Sequence, residues 1–136
     1  MTPQLPQDMT PQSTIDTLIT VFGGSGFLGR HLIRALAREG YRIRVGVRRP
    51  DLAADLQPLG RVGQIMPVQA NLRYPDSVAA AVRDASVVIN LVGILCERGK
   101  QTFAGVQAQG AGNVARAAAA VGARMIHVSA IGADAD

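Results

Sequence analysis

The sequence predicts an α/β protein: a doubly wound parallel sheet of strand order 3-2-1-4-5 with helices on both faces, giving three layers, α/β/α. Three observations lead to it. Short apolar, β-branched runs alternate with longer segments of helical period along most of the chain. Strands separated by helices need crossover connections, and these imply parallel pairing with helices above and below the sheet. Four glycines also crowd into "GGSGFLG", immediately after the first apolar run, where a strand or helix interior would be weakened by them.

Each element follows in order. "TLITVF" (17–22) is short, apolar and β-branched, the pattern of a buried first strand. "GFLGRHLIRALAREG" (26–40) carries Leu28, Leu32, Ile33 and Leu36 at helical spacing, steps Arg30, Arg34 and Arg38 along a wet face, and ends on Gly40. "YRIRVGVRR" (41–49) alternates Tyr41, Ile43, Val45 and Val47 with polar or small residues, as a second strand does. In "PDLAADLQPLG" Pro50 starts a short helix and Asp51 caps it. "GQIMPVQAN" is a third strand, which Pro67 places towards the sheet edge. "YPDSVAAAVRDA" is a helix with Pro75 in its first turn and Asp76 near its positive end. "SVVINLVG" is a fourth strand, "TFAGVQAQGAGNVARAAAAVG" a long helix of small residues closed by Gly122, and Met125–Ser129 a fifth strand. The near-continuous apolar character of the strands predicts a sheet buried on both sides.

The totals fit this reading. A chain of 136 residues suffices for one domain with a core, and with three Phe, two Tyr and no Trp the core falls to Ala, Val, Leu and Ile. Residues 1–16, rich in Pro, Gln and Thr, read as a flexible lead-in, and residues 17–136 as the domain. Net charge is +4. All basic residues but Lys100 are arginines, scattered rather than bunched, which reads as solvated surface and not as a nucleic-acid face. Cys96 is the only cysteine, consistent with a reducing compartment. The longest apolar segment, 85–96, is broken by Asn90 and is shorter than the roughly 18–20 residues that span a bilayer. The N-terminus has neither the basic nor the apolar region of a signal peptide. These features point to a cytoplasmic protein without direct membrane insertion.

The crowded glycines have a chemical purpose in this context. Gly23, Gly26 and Gly29 are spaced G-x-x-G-x-x-G between a strand and a helix, the place of a dinucleotide-binding turn. Gly23 would permit the tight turn, Gly26 would let a pyrophosphate approach the backbone, and Gly29 would let the helix pack close to the sheet. The N–H groups from Ser25 through Phe27 to Leu28 and the helix dipole would attract the phosphates, with the Ser25 hydroxyl as a further donor. The fold is thus expected to be Rossmann-type. At the end of the second strand, where an NAD site places an acid for the ribose, "GVRRPD" puts Arg48 and Arg49. A guanidinium fork suits a 2′-phosphate, so NADP(H) is favoured over NAD(H). The competing reading has Asp51 reach back to the ribose.

"TVFGGSGFLGRHL", "VRRP", "DASVVINLVG" and "IHVSAIGA" resemble the atypical extended short-chain dehydrogenase/reductase family, and within it the group similar to the NADPH-binding accessory subunit of respiratory complex I and its bacterial relatives. The likeness covers residues 17 to 133. It implies that Asn71 and Leu72 lie beside the adenine, with Asn where the family has Asp. It implies that Leu91, Val92 and Gly93 run along the ribose and nicotinamide half, and that Ser129 polarises a substrate carbonyl. The Tyr-x-x-x-Lys pair of active relatives has no counterpart: neither Tyr41 nor Tyr74 is followed by Lys four residues on. Family members are about twice this length, so the chain is read as lacking a C-terminal substrate part, and the surface so exposed is expected to drive self-association.

Two functions of different class follow from the resemblance. One is a non-catalytic or regulatory NADP(H)-binding module, with respiratory complex I or another protein as partner and any contact with the inner membrane made through that partner. The other is the cofactor half of an NADP-dependent reductase or epimerase; a redox-sensing regulator is a third. His31 and His127 read as structural histidines, Cys96 as an unreactive loop thiol, and the glycines at 105, 110 and 112 as a slim helix face for close packing. No set of His, Cys, Asp and Glu has metal-ligand spacing.

Overall fold

The computed structural model describes residues 16–24, 26–91 and 101–128. Five strands form one sheet: β1 (Leu18–Phe22), β2 (Arg42–Val47), β3 (Ile65–Gln69), β4 (Val87–Asn90) and β5 (Arg124–His127), ordered β3-β2-β1-β4-β5. All four pairings are parallel. Helices α1 (Phe27–Arg38), α2 (Pro75–Val82) and α3 (Gln101–Ala120) and a 3₁₀ segment (Pro50–Leu59) connect them. The predicted strand order and layering are both present, with element ends shifted by one to three residues.

Strand alternation sends side chains into two cores. Ile19, Val21, Ile43, Val45 and Ile65 pack with Ile33 and Ala37 of α1 and with Ala53 and Leu56 of the 3₁₀ segment. On the other face Leu18, Phe22 and Val88 pack with Val78, Ala81 and Val82 of α2 and Val114 and Ala118 of α3. Pro67 sits on edge strand β3, as expected of a residue that cannot donate to a ladder. Gly40 and Gly122 close α1 and α3 with φ of 93° and 72°, the left-handed C′ conformation expected of them.

Three expectations need correction. Asp51 does not cap the 3₁₀ segment: Arg49 holds the cap position without a side-chain cap, and Asp51 lies in the first turn with its carboxylate turned to Arg49. The segment is also not one regular helix, being kinked at Ala53 and interrupted by Pro58. The sheet is not buried on both sides at β5, where Ile126 is 43% exposed. Among the described residues the helical elements on its face, α1 and the 3₁₀ segment, pack under β2 and β3 at the other side of the sheet.

A further correction concerns the arginines. Arg44, on β2, is not a solvated charge. Its guanidinium donates to the Ala81 and Arg83 carbonyls at 2.7 and 2.8 Å, and the fully buried Thr20 hydroxyl donates to the same Ala81 carbonyl at 2.8 Å. These are C-terminal carbonyls of α2, which have no partner within the helix and lie at its negative pole. Burial lowers the pKa of Arg44, and the nearby Asp84 carboxylate acts in the opposite sense.

Gln64, buried just before β3, makes a similar tie. Its amide donates to the Ala37 and Tyr41 carbonyls at 2.9 and 2.8 Å, and its carbonyl accepts from the Arg61 N–H at 2.9 Å. One side chain thus joins the end of α1, the start of β2 and the loop into β3. Gln64→Ala leaves three backbone groups without this partner and should lower stability by about 2 kcal/mol in a urea titration. Met66→Thr, at an exposed position on the adjoining strand, should change it by under about 0.5 kcal/mol.

Candidate functional site

The strand order reverses between β1 and β4, and the crevice outside the carboxyl ends of such strands is where open α/β sheets bind ligands. The glycine turn stands there. Gly23 has φ of 87°, a left-handed conformation that lets the chain leave β1 sharply. Gly26 is extended and is the N-cap of α1. The Arg30 N–H donates back to the Gly26 carbonyl at 2.9 Å, so the N–H groups of Phe27, Leu28 and Gly29 precede the first intrahelical bond. The cap brings no side-chain acceptor and the first turn holds no acid. Helix dipole and N–H groups together make a place for an anion.

Gly29 is required for a reason slightly different from the expected one. A Cβ there would come within 2.5–2.6 Å of the Gly24 Cα, carbonyl carbon and oxygen. At Gly29 the helix meets the backbone of the turn rather than the sheet. Gly24 falls outside the three-glycine spacing, and the sequence reading missed it. A Cβ at Gly24 would meet Ile33 Cδ1 at 2.6 Å and Val45 Cγ1 at 2.9 Å. The only sequence signal for it was a glycine beyond what the motif needs. Phe27, 74% exposed, sets its ring edge-on to His31 at 4.6 Å, and Leu28 is also exposed.

The other described candidates, Arg48, Arg49, Asn71, Leu72 and Leu91, follow β2, β3 and β4. Arg48 and Arg49 follow β2, both exposed. Arg49 forms a two-pronged contact with Asp51, Nη2 to Oδ2 at 3.1 Å and Nε to Oδ1 at 3.4 Å. Among the described residues Arg48 makes no ion pair. Arg30 of α1 pairs with Asp55 of the 3₁₀ segment, joining the helix at the glycine turn to the segment that follows the arginines.

Asn71 and Leu72 follow β3. The Asn71 N–H donates to Ser77 Oγ at 2.9 Å, and Asn71 Oδ1 accepts from the Arg73 N–H at 3.0 Å, a local Asx turn. Leu72 packs against the second core and gives its carbonyl to Asn113 of α3 at 2.7 Å. Leu91, after β4, is buried in the first core and donates its N–H to the Phe22 carbonyl at 2.9 Å. Its side chain serves packing, so anything it offers a ligand comes from its backbone. Ser25, Val92, Gly93 and Ser129 lie outside the described residues, as does Cys96. His127 shares a hydrogen bond with the buried Asn90, Nδ1 to Nδ2 at 3.3 Å, in line with a structural role. Among the described residues no group of His, Cys, Asp and Glu could hold a metal ion.

Comparison with known proteins agrees with this geometry. Residues 23–136 match the profile of the NAD(P)H-binding family. The chain is 38% identical over 116 residues to a ceramide reductase of Caulobacter vibrioides, covering 85% of this chain and 35% of that protein. It is 35% identical over 124 residues to NADH dehydrogenase (ubiquinone) 1 alpha subcomplex subunit 9 of Dictyostelium discoideum mitochondria, covering 90% and 35%. The chain therefore spans about a third of the length of these relatives. Among solved structures, uronate dehydrogenase of Agrobacterium tumefaciens superposes with a TM-score of 0.66 at 26% identity, covering 83% of this chain and 40% of that one. Vestitone reductase of alfalfa, at 0.67 and 24% identity over 81% and 35%, shares the fold. The chain belongs to the NAD(P)H-binding family, with a Rossmann-type fold.

Proposed function

We propose that this chain holds NADP(H) as a non-catalytic or regulatory accessory module. The observation that carries the reading is the start of α1: a glycine cap with no side chain and a first turn with no acid, directly after a left-handed turn out of β1. The pyrophosphate would rest on the N–H groups of Phe27, Leu28 and Gly29, with Gly23 and Gly26 keeping the approach clear and Ser25 adding its hydroxyl. The adenosine end would lie over the exits of β2 and β3, near Arg48, Arg49, Asn71 and Leu72. The nicotinamide half would run past Leu91, Val92 and Gly93. When bound, the cofactor supplies hydride chemistry; this chain's own residues bind and orient it.

The choice of NADP(H) rests on Arg48. Both oxygens of Asp51 already face Arg49, which leaves the carboxylate poorly placed to accept from a ribose hydroxyl. Similarity to the complex I subunit supports an accessory role with a respiratory partner. No helix among the described residues is long and apolar enough to cross a membrane, so a cytoplasmic module reaching the inner membrane through its partner fits this role. Similarity to a ceramide reductase favours a second reading, the cofactor half of an NADP-dependent reductase, in which Ser129 would polarise the substrate carbonyl.

Calorimetric titration tests the cofactor assignment. NADPH should bind more tightly than NADH, and Arg48→Ala should weaken NADPH about tenfold, the worth of one charge-assisted phosphate contact, while changing NADH less than about twofold. Equal or tighter binding of NADH by the unmodified chain would return the ribose contact to Asp51. Asp51→Asn releases Arg49 from its partner and should tighten NADPH by about twofold to threefold, in keeping with the small worth of an exposed ion pair. Gly29→Ala should abolish binding of both dinucleotides and lower the melting temperature, since its Cβ has no room against Gly24.

A further inference from the structure

The loop between β3 and α2 carries Asn71 and Leu72, yet the side chain that holds it comes from elsewhere. Asn113, on α3, is only 3% exposed. Its amide Nδ2 donates to the Leu72 carbonyl at 2.7 Å, and its Oδ1 accepts from Arg116 Nη2, one turn on, at 2.6 Å. The Arg116 contact fixes which end of the Asn113 amide faces the loop: the oxygen is taken by a cation, so the NH₂ must point at Leu72. One turn of α3 earlier, Gly110 lets the loop settle on the helix. A Cβ at Gly110 would stand 3.0 Å from the Leu72 Cβ. The loop is closed from within by the Asn71 N–H to Ser77 Oγ bond and by the Asx turn to Arg73. It is therefore held at a fixed height above the sheet before any ligand arrives, with α3 as the external support.

We propose that Asn113 is a positioning residue for the adenine end of the dinucleotide, acting through the Leu72 carbonyl to hold Asn71 and Leu72 at the base. This rests on the cofactor assignment above and extends it to a residue that touches no part of the ligand. Arg116 acts one step further out, by orienting the Asn113 amide. Pre-organised loops bind more tightly because the ordering entropy is not charged against binding. Loss of the clamp therefore appears as weaker binding of whatever contacts the loop, and not of what rests on the start of α1.

The test uses the full chain with three probes: NADPH, 2′,5′-ADP for the adenine end, and inorganic pyrophosphate for the helix terminus. Asn113→Ala should raise the Kd of NADPH and 2′,5′-ADP about fivefold to tenfold and leave pyrophosphate within twofold. Arg116→Ala should shift the first two in the same direction by about twofold. In the double variant with Asn71→Ala the Asn113 effect should largely disappear, because the contact it positions is already gone. Amide hydrogen exchange without ligand is read in parallel and should quicken at Asn71–Tyr74 in Asn113→Ala. Unchanged 2′,5′-ADP affinity in a folded Asn113→Ala protein, or equal weakening of all three probes, overturns the proposal. If the unmodified chain binds neither NADPH nor 2′,5′-ADP, the cofactor assignment and the adenine role fall together, and faster exchange would then show that Asn113 clamps the loop only as part of the fold.

Discussion

The contact between the first turn of α1 and the backbone of Gly24 is the constraint on which the rest of the site depends. With no Cβ at Gly29, the helix can begin almost at once after β1 and lie against the turn itself. Gly24 must in turn be bare, because Ile33 and Val45 occupy the space below it. Turn, helix and first core are therefore one packed unit. The direction of α1, and with it the direction of its positive pole, is set by core residues that never meet a ligand. The helix start is held in place because moving it would disturb the close packing of Gly24 against Ile33 and Val45.

The second face of the sheet is organised differently. There, polar side chains tie down the ends of elements: Thr20 and Arg44 the end of α2, Asn113 the loop after β3. Gln64 makes the same kind of tie at the end of α1. Each donates to backbone carbonyls, and a buried carbonyl left without any donor costs about 1–3 kcal/mol. Buried polar groups in such number restrict how loops can sit, since a slipped loop would leave several of them unsatisfied at once. The loops bearing the candidate site are thus positioned by residues scattered through the chain.

This division explains what could be read from the sequence. The alternation of apolar runs with helical segments, the glycine turn and Pro67 at the edge are local signals, and the fold followed from them. Strand order needed only the handedness of crossovers and the place of the glycine turn. The polar ties were not legible. Asn113 and Leu72 are forty-one residues apart, and nothing in "GAGNVARAA" distinguishes a clamp from a solvated asparagine. Arg44 looked like one more surface arginine in an alternating strand, because its burial depends on where α2 ends. Asp51 looked like a cap, because capping is judged from the helix alone. Here Pro50 occupies the first helical position and Arg49 draws the carboxylate aside.

The Arg49–Asp51 contact also bears on cofactor choice. The side chains are 67% and 63% exposed, so their mutual attraction is weak, and the pair cannot by itself hold the loop in one state. It does weight the donors and acceptors at the end of β2. Two guanidiniums stand against one carboxylate, whose two oxygens both face Arg49. A ribose hydroxyl seeks an acceptor there and meets a surplus of donors. In the proposed assignment a 2′-phosphate would bring acceptor oxygens and negative charge, which Arg48 would take directly and Arg49 would share without wholly leaving Asp51. The same residues with Asp51 turned away from Arg49 would favour the opposite cofactor. On the proposed NADP(H) assignment, selectivity at this position would turn on where one exposed carboxylate points as much as on the presence of the arginines.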